Sequence, residues 1–214
     1  MRYLIVCGGK IDKEFGLNEI KTDGIDAIIA ADSGMDFLYE NGVTPDIIVG
    51  DFDSTTTNAL EYFERKGQTE IRRLNPIKDD TDTEYAIRLA ISEGARSIVL
   101  LGATGSRIDH VLGNISLLGI GLESGTDISI IDTNNRIRMA DKPVTIEKSA
   151  QYGRFVSLIA LTDDNEVSLK GFKYPVTDYS FDSFTSLGIS NEIVDDHALI
   201  DIHRGKFIII ESKD

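Results

Sequence analysis

Over the first 130 or so residues, short apolar runs alternate with stretches whose apolar side chains recur every three or four positions. The runs at 3–7, 27–31, 47–49, 70–74, 97–101 and 128–131 read as strands. The stretches at 33–41, 56–66, 82–93 and 109–122 read as amphipathic helices, and Gly42, Gly67 and Gly94 stand where helix C-caps belong. Strands alternating with helices in this way predict an α/β fold, a mostly parallel sheet with helices on both faces. Beyond Asp132 the helical period stops. Runs at 144–146, 155–161, 166–170, 198–202 and 207–210 read as short antiparallel strands, separated by turn-forming stretches at 162–165 and 204–206. A small all-β sandwich is expected there. The boundary falls between about 125 and 140, giving expected domains of 1–130 and 131–214, and no internal repeat is seen.

Composition narrows the setting. Hydrophobic residues make up 41% and charged residues 27% of 214, the balance of an ordinary globular chain. The single cysteine, Cys7, lies in the apolar run 4–7, which suits a buried thiol in a reducing cytoplasm. No apolar run is long enough for a membrane span. A formal net charge of −14 argues against nucleic acid as a partner, because binding a polyphosphate backbone needs lysine and arginine. Any anionic ligand would need local cations on such a surface, whereas a cationic ligand would be favoured.

The acidic residues collect directly after the predicted strands. Asp32 lies in Ala30-Ala31-Asp32-Ser33-Gly34, a pair lies in Gly50-Asp51-Phe52-Asp53-Ser54, Asp79 and Asp82 lie in Lys78-Asp79-Asp80-Thr81-Asp82, and Asp109 lies in Arg107-Ile108-Asp109-His110. In an open α/β sheet, groups at the carboxyl ends of parallel strands share one edge, where ligands bind. Each acid taken singly can be a helix N-cap, and Thr81-Asp82-Thr83-Glu84 fits a capping box. Capping does not explain the pairs, since a helix needs one cap. Crowded carboxylates repel unless a cation compensates, and hard oxygen ligands select Mg²⁺. The acids therefore predict a Mg²⁺ and phosphate site.

The loop Gly102-Ala103-Thr104-Gly105-Ser106-Arg107 is the complementary half, between a predicted strand and a helix. Its amides and the helix N-terminus can face an anion, with Arg107 as a paired donor. The loop has neither the Gly-Lys-Ser/Thr ending of a Walker loop nor the Gly-x-Gly-x-x-Gly dinucleotide fingerprint. His110 is a lesser candidate, and His197 and His203 lack partners suggesting a metal site.

In this order, Ala-Asp-Ser-Gly, Gly-Asp-Phe-Asp-Ser, Lys-Asp-Asp-Thr-Asp, Gly-Ala-Thr-Gly-Ser-Arg-Ile-Asp-His and a late Gly188-Ile189-Ser190-Asn191 resemble the thiamine pyrophosphokinase family over nearly the whole chain. The run Lys170-Gly171-Phe172-Lys173-Tyr174-Pro175 is similar too. The resemblance implies an α/β domain binding ATP and Mg²⁺, a β-sandwich contributing to a thiamine pocket, and a homodimer with active sites at the subunit interface. It implies that the thiamine hydroxyl attacks the β-phosphorus of ATP, so that AMP leaves. By the same resemblance, Asp51, Asp53 and Asp82 match Mg²⁺-binding carboxylates. Asp32, Lys78, Asp79, Thr81, Asp109 and His110 fall around the ATP site, with Arg107 and Gly102, Thr104, Gly105 and Ser106 on its phosphates. Asp82 is the residue expected to orient or deprotonate the hydroxyl, and Ser190 and Asn191 match positions near the thiamine pyrimidine.

Two departures stand out. Eukaryotic relatives carry Gln in place of Lys78 and stack thiamine on a Trp, but this chain has no Trp. Either one of Tyr174, Tyr179, Phe181 and Phe184 takes the place of the Trp, or the pocket holds the ring by other contacts. Two competing readings follow from the same residues. One is a haloacid dehalogenase-like phosphatase, because the segment 47–55 resembles that family's strand-then-Asp-x-Asp motif, although two strands precede it here. The other is a non-catalytic nucleotide- or thiamine-binding sensor.

Overall fold

The computed structural model describes residues 1–52, 58–75, 80–182 and 184–214. They form two compact units, Met1–Thr133 and Asn134–Asp214. In the first unit the aliphatic runs become β1 (Arg2–Val6), β2 (Ala27–Ala31), β3 (Ile47–Gly50), β4 (Glu70–Arg73), β5 (Ser97–Leu101) and β6 (Asp127–Ile131). They are joined by α1 (Lys13–Ile20), α2 (Gly34–Glu40), α3 (Ala59–Lys66), α4 (Asp82–Ser92), α5 (Ile108–Leu117) and α6 (Gly119–Ser124).

The strands lie in the order β6-β5-β1-β2-β3-β4, and each neighbouring pair is parallel. The order grows one way from β1 to β4 and then restarts on the other side of β1 with β5. The topological switch point is therefore between β1 and β5. Residues 3–6 of β1 are all buried, so both faces of the sheet are covered. On one face Leu4, Val6, Ala30, Ile48, Val99 and Leu101 pack against Met35 and Leu38 of α2 and Ala59 and Phe63 of α3, with Phe15 and Ile20 of α1 beside them. The alternate residues Ile5, Ile29 and Val49 point the other way. There α4 crosses β1, β2 and β3 with Ala86, Ile87 and Ala90 fully buried.

The sequence pattern missed α1. Its segment contains Gly16 and few apolar residues, yet Asp12 caps it by accepting from the Phe15 amide at 2.9 Å. Gly16 is there because a Cβ would stand 2.7 Å from Cζ of Phe37. The stretch expected as one helix at 109–122 is two, α5 and α6, joined at Leu118.

The second unit is a β-sandwich. One antiparallel sheet has the order β12-β9-β14-β7, from β7 (Asn135–Ala140), β9 (Phe155–Ala160), β12 (Asn191–Glu192) and β14 (Phe207–Ser212). The other has the order β11-β10-β13-β8, from β8 (Val144–Glu147), β10 (Glu166–Lys170), β11 (Val176–Tyr179) and β13 (His197–Arg204). Their inner faces share one core, with Val156, Leu158, Phe207 and Ile209 from the first sheet and Val167, Leu169, Ala198 and Ile200 from the second.

The pattern of apolar residues also missed β7, because two of its inward positions are arginines. Arg136 and Arg138 share the face of Ile209 and Glu211 on β14. The Glu211 carboxylate is wholly buried and accepts from Arg136 Nη2 at 2.7 Å, Arg138 Nη2 at 2.8 Å and the Tyr152 amide at 2.9 Å. Buried charge is tolerated when it is paired and hydrogen-bonded, and the two guanidinium groups close the end of the sandwich around this one anion. Removing the anion leaves both cations uncompensated. Glu211→Ala is expected to lower stability by about 3 kcal/mol, seen as a fall in the urea midpoint.

Candidate active site at the strand ends

Where β2 ends, the chain turns sharply at Asp32, which adopts a left-handed backbone with φ 49°. Where β3 ends, Phe52 does the same at φ 63°. Aspartate tolerates this region; for phenylalanine it is strained, at a cost of order 1 kcal/mol or more. The neighbouring Gly50 makes room for both turns, since a Cβ on it would lie 3.0 Å from the Phe52 ring and 3.2 Å from the Asp32 Cα. The Asp32 amide donates to the Val49 carbonyl at 2.8 Å and ties the two strand ends together. Such strain persists only where the surrounding structure over-determines it, and here it aims two carboxylates into one place.

The third carboxylate comes from α4. Thr81 caps this helix by accepting from the Glu84 amide at 3.2 Å, and Asp82 occupies the first turn. The expected capping box is only half made, because the Glu84 carboxylate turns to Arg88, 2.7 Å away. Thr83 reaches the Cys7 sulfur at 3.7 Å and anchors the helix start to the end of β1. Burial pushes the Cys7 thiol up to about 11, so it stays neutral at physiological pH and serves packing.

One oxygen from each of Asp32, Asp51 and Asp82 lies within 4.8 Å of the others, and all three residues are half-buried. None of the three is the cap of its helix. Ser33 stands at the cap position of α2, Asn58 at that of α3, and Thr81 at that of α4. The sequence had grouped Asp51 with Asp82 and Asp53, and Asp32 beside them; Asp32 is one of the three that meet. The expectations on Asp53, Lys78 and Asp79 lie outside the described residues. An all-carboxylate, hard-oxygen donor set of this spacing fits a divalent cation such as Mg²⁺.

The glycine loop follows β5 on the same edge. Gly102 has a positive φ of 67°, and its carbonyl accepts from the Gly9 amide at 2.9 Å. Sequence reasoning passed over Gly8 and Gly9, although a Gly-Gly pair directly after the first strand was a signal for close backbone approach. A Cβ on Gly8 would fall 2.1 Å from Ser33 Oγ, and one on Gly9 would fall 2.3 Å from the Gly102 carbonyl oxygen and 2.8 Å from that of Thr104. Gly9 thus lets the end of β1 approach the loop after β5 at the switch point, while Gly8 lets it approach the start of α2 after β2.

Farther along, Thr104 donates to Asp132 at 2.8 Å, and Asn114 of α5 donates to the Ala103 carbonyl at 2.8 Å. Gly105, Ser106, Arg107, Asp109 and His110 are exposed. Arg107 and Asp109 form an ion pair at 2.6 Å. The shared hydrogen bond raises the Arg107 guanidinium and holds the Asp109 carboxyl below its usual value. Because the Asp109 value is depressed, the pair is complete at neutral pH and is lost only as acid passes below the ordinary carboxylate range.

In the second unit, Asn191 is buried and its amide clamps a neighbouring turn. Its Oδ1 accepts from the Tyr174 amide at 3.0 Å and its Nδ2 donates to the Tyr174 carbonyl at 2.9 Å. Ser190 is exposed with φ 60°, and its amide donates to Ser157 at 3.0 Å. Of the four aromatic alternatives, Phe181 is in the sandwich core, edge-on to Tyr179 and Phe207. Tyr174, Tyr179 and Phe184 keep exposed rings.

This geometry can be set beside known proteins. Residues 21–130 match the family model for "Thiamin pyrophosphokinase, catalytic domain", and residues 143–207 match "Thiamin pyrophosphokinase, vitamin B1 binding domain". A thiamine pyrophosphokinase of Bacillus subtilis is 34% identical over 188 residues, which is 87% of each chain. The chain belongs to the thiamine pyrophosphokinase family. The crystal structure of a Bacillus subtilis thiamine pyrophosphokinase superimposes with a TM-score of 0.88 at 31% identity, covering both chains fully. That of a Geobacillus thermodenitrificans thiamin pyrophosphokinase gives 0.85 at 27% identity, covering 100% of this chain and 98% of the other. The enzymes of this family form thiamine diphosphate, and neither the phosphatase nor the sensor reading gains support. The Asp-x-Asp segment of this family member follows the third strand of its sheet, not the first, where a haloacid dehalogenase would carry it.

In this member of the family the closeness of β1 to the glycine loop rests on Gly9. Gly9→Ala is expected to push residues 102–104 off the strand end and to cut kcat/KM by at least about tenfold, with the fold retained by circular dichroism.

Proposed function

We propose that this chain transfers the diphosphate of Mg-ATP to the hydroxyl of thiamine, releasing AMP. The observation that carries the reading is the meeting of Asp32, Asp51 and Asp82 on the strand-end edge that also carries the glycine loop, in a chain whose two parts match the catalytic and vitamin B1 binding models. Asp51 and Asp82, joined by Asp32 and Asp53, are the residues to hold Mg²⁺, which when bound would neutralise phosphate charge. The rest of the work is positioning, because phosphoryl transfer asks for alignment and charge compensation more than covalent chemistry.

In this reading the 102–106 loop and Arg107 take the phosphates, with Thr81, Asp109, His110, Lys78 and Asp79 around the nucleotide. Asp82 orients the thiamine hydroxyl and takes its proton as the bond to the β-phosphorus forms. Ser190 and Asn191 belong to the thiamine side, where Asn191 acts by fixing the Tyr174 turn and Ser190 is open to direct contact. The division of labour is residues 1–130 for ATP and Mg²⁺ and residues 131–214 for thiamine. A cationic thiazolium suits a chain of net charge −14. A single buried cysteine is in keeping with a cytoplasmic enzyme. Among the described residues no helix is long and apolar enough to cross a membrane.

Incubation with Mg-ATP and thiamine is expected to yield AMP in step with thiamine diphosphate, whereas ADP would contradict the attack at the β-phosphorus. Asp82→Asn is expected to lower kcat by about a hundredfold or more, and undiminished turnover would remove Asp82 from its role. A homodimer with active sites at the subunit interface is part of the same reading. Helix α5 supports it, since none of its residues is buried and Ile108 and Leu112 are 66% and 60% exposed. Leu112→Glu is expected to shift the sedimentation-equilibrium mass from dimer to monomer.

A further inference from the structure

The glycine loop is held from three directions. The Gly9 amide occupies the Gly102 carbonyl at 2.9 Å, Asn114 Nδ2 occupies the Ala103 carbonyl at 2.8 Å, and Asp132 accepts the Thr104 hydroxyl at 2.8 Å. Two of these braces hold the loop's carbonyl oxygens, the groups that would repel an anion. Among the described residues, no acceptor takes the amides of Thr104, Gly105 or Ser106. A loop with its first two carbonyls tied back and the following amides available is organised to receive phosphate oxygens.

The third brace is of another kind. Asp132 follows β6 directly, on the strand next to β5, so its carboxylate stands beside the loop without belonging to it. An acid beside a phosphate site would weaken binding through its charge, and here it is engaged by a hydroxyl donor. We propose that Asp132 is a positioning residue for the nucleotide loop. By accepting the Thr104 hydroxyl it fixes the rotamer of Thr104 and the direction of the amides around it. A hydrogen bond to an ionised acceptor is among the stronger ones available to a threonine. The proposal rests on the reading of this loop as the phosphate site.

The test uses the full chain, with steady-state kinetics in Mg-ATP and thiamine and calorimetric titration of Mg-ATP. Asp132→Ala is expected to raise KM for ATP on the order of tenfold while kcat and KM for thiamine stay within about twofold, the scale of one lost hydrogen bond to a charged group. Asp132→Asn keeps an oxygen to accept from Thr104 and is expected to recover most of the ATP affinity. Thr104→Val is expected to raise KM for ATP at least as much as Asp132→Ala, and adding Asp132→Ala to it is expected to cost little more, as for two ends of one interaction. Unfolding midpoints identify any variant that loses its fold, and if Asp132→Ala does so, Asp132→Ser, whose shorter side chain cannot reach the Thr104 hydroxyl in the same way, takes its place. An unchanged KM for ATP, an equal rise in both KM values, or an Asn variant no better than Ala would overturn the proposal. Failure of the underlying reading would show differently, as absence of Mg-ATP binding by the unsubstituted chain.

Discussion

Holding the carboxylates of Asp32, Asp51 and Asp82 with oxygens within 4.8 Å of one another sets like charges against each other, and much of the first unit is arranged to impose it. The parallel sheet delivers the ends of β2 and β3 to one edge, and the left-handed turns at Asp32 and Phe52 redirect the chain there. Gly50 leaves the space those turns need. The start of α4 is fixed by its Thr81 cap and by the Thr83 contact to Cys7. The two turns and the glycine are local concessions, in backbone strain and in a missing side chain, that hold the three carboxylates together.

The glycine loop, in the proposed reading the anion-facing half of the site, obeys the complementary constraint. A phosphate loop must present amides and withdraw carbonyls, and this can be done only by supplying donors to those carbonyls from elsewhere. Gly9 and Asn114 supply them from β1's turn and from α5. The loop's shape therefore depends on elements distant in sequence. Placing both halves on one edge follows from the strand order, in which the switch point separates β1 from β5.

The second unit solves a different problem by similar means. Its sandwich carries a fully buried carboxylate, Glu211, kept there by two arginines from the neighbouring strand. Asn191 is likewise buried and spent on the Tyr174 backbone. Polar groups inside this unit act as fasteners, which is why they interrupt the alternation that marks its other strands.

The α/β character, the sandwich, and the strand-end position of the acids were all legible along the chain, because hydrophobic period and residue order are local properties. The ordered motifs were enough to point to the family. Helix α1 and strand β7 were not legible, since α1 is held by its Asp12 cap and packing more than by an apolar stripe, and β7 hides charges that only Glu211 makes burial-compatible. Nor could the sequence rank the acids: Asp32 stood 19 or more positions from its partners, and its meeting with Asp51 and Asp82 exists only after β2 and β3 pair. The same holds for Gly8, Gly9 and Asp132, whose roles are distances across neighbouring strands. Local pattern determined which elements form and which residues end them; only the folded sheet decided which of those residues meet, because contact between strands is set by their order in space.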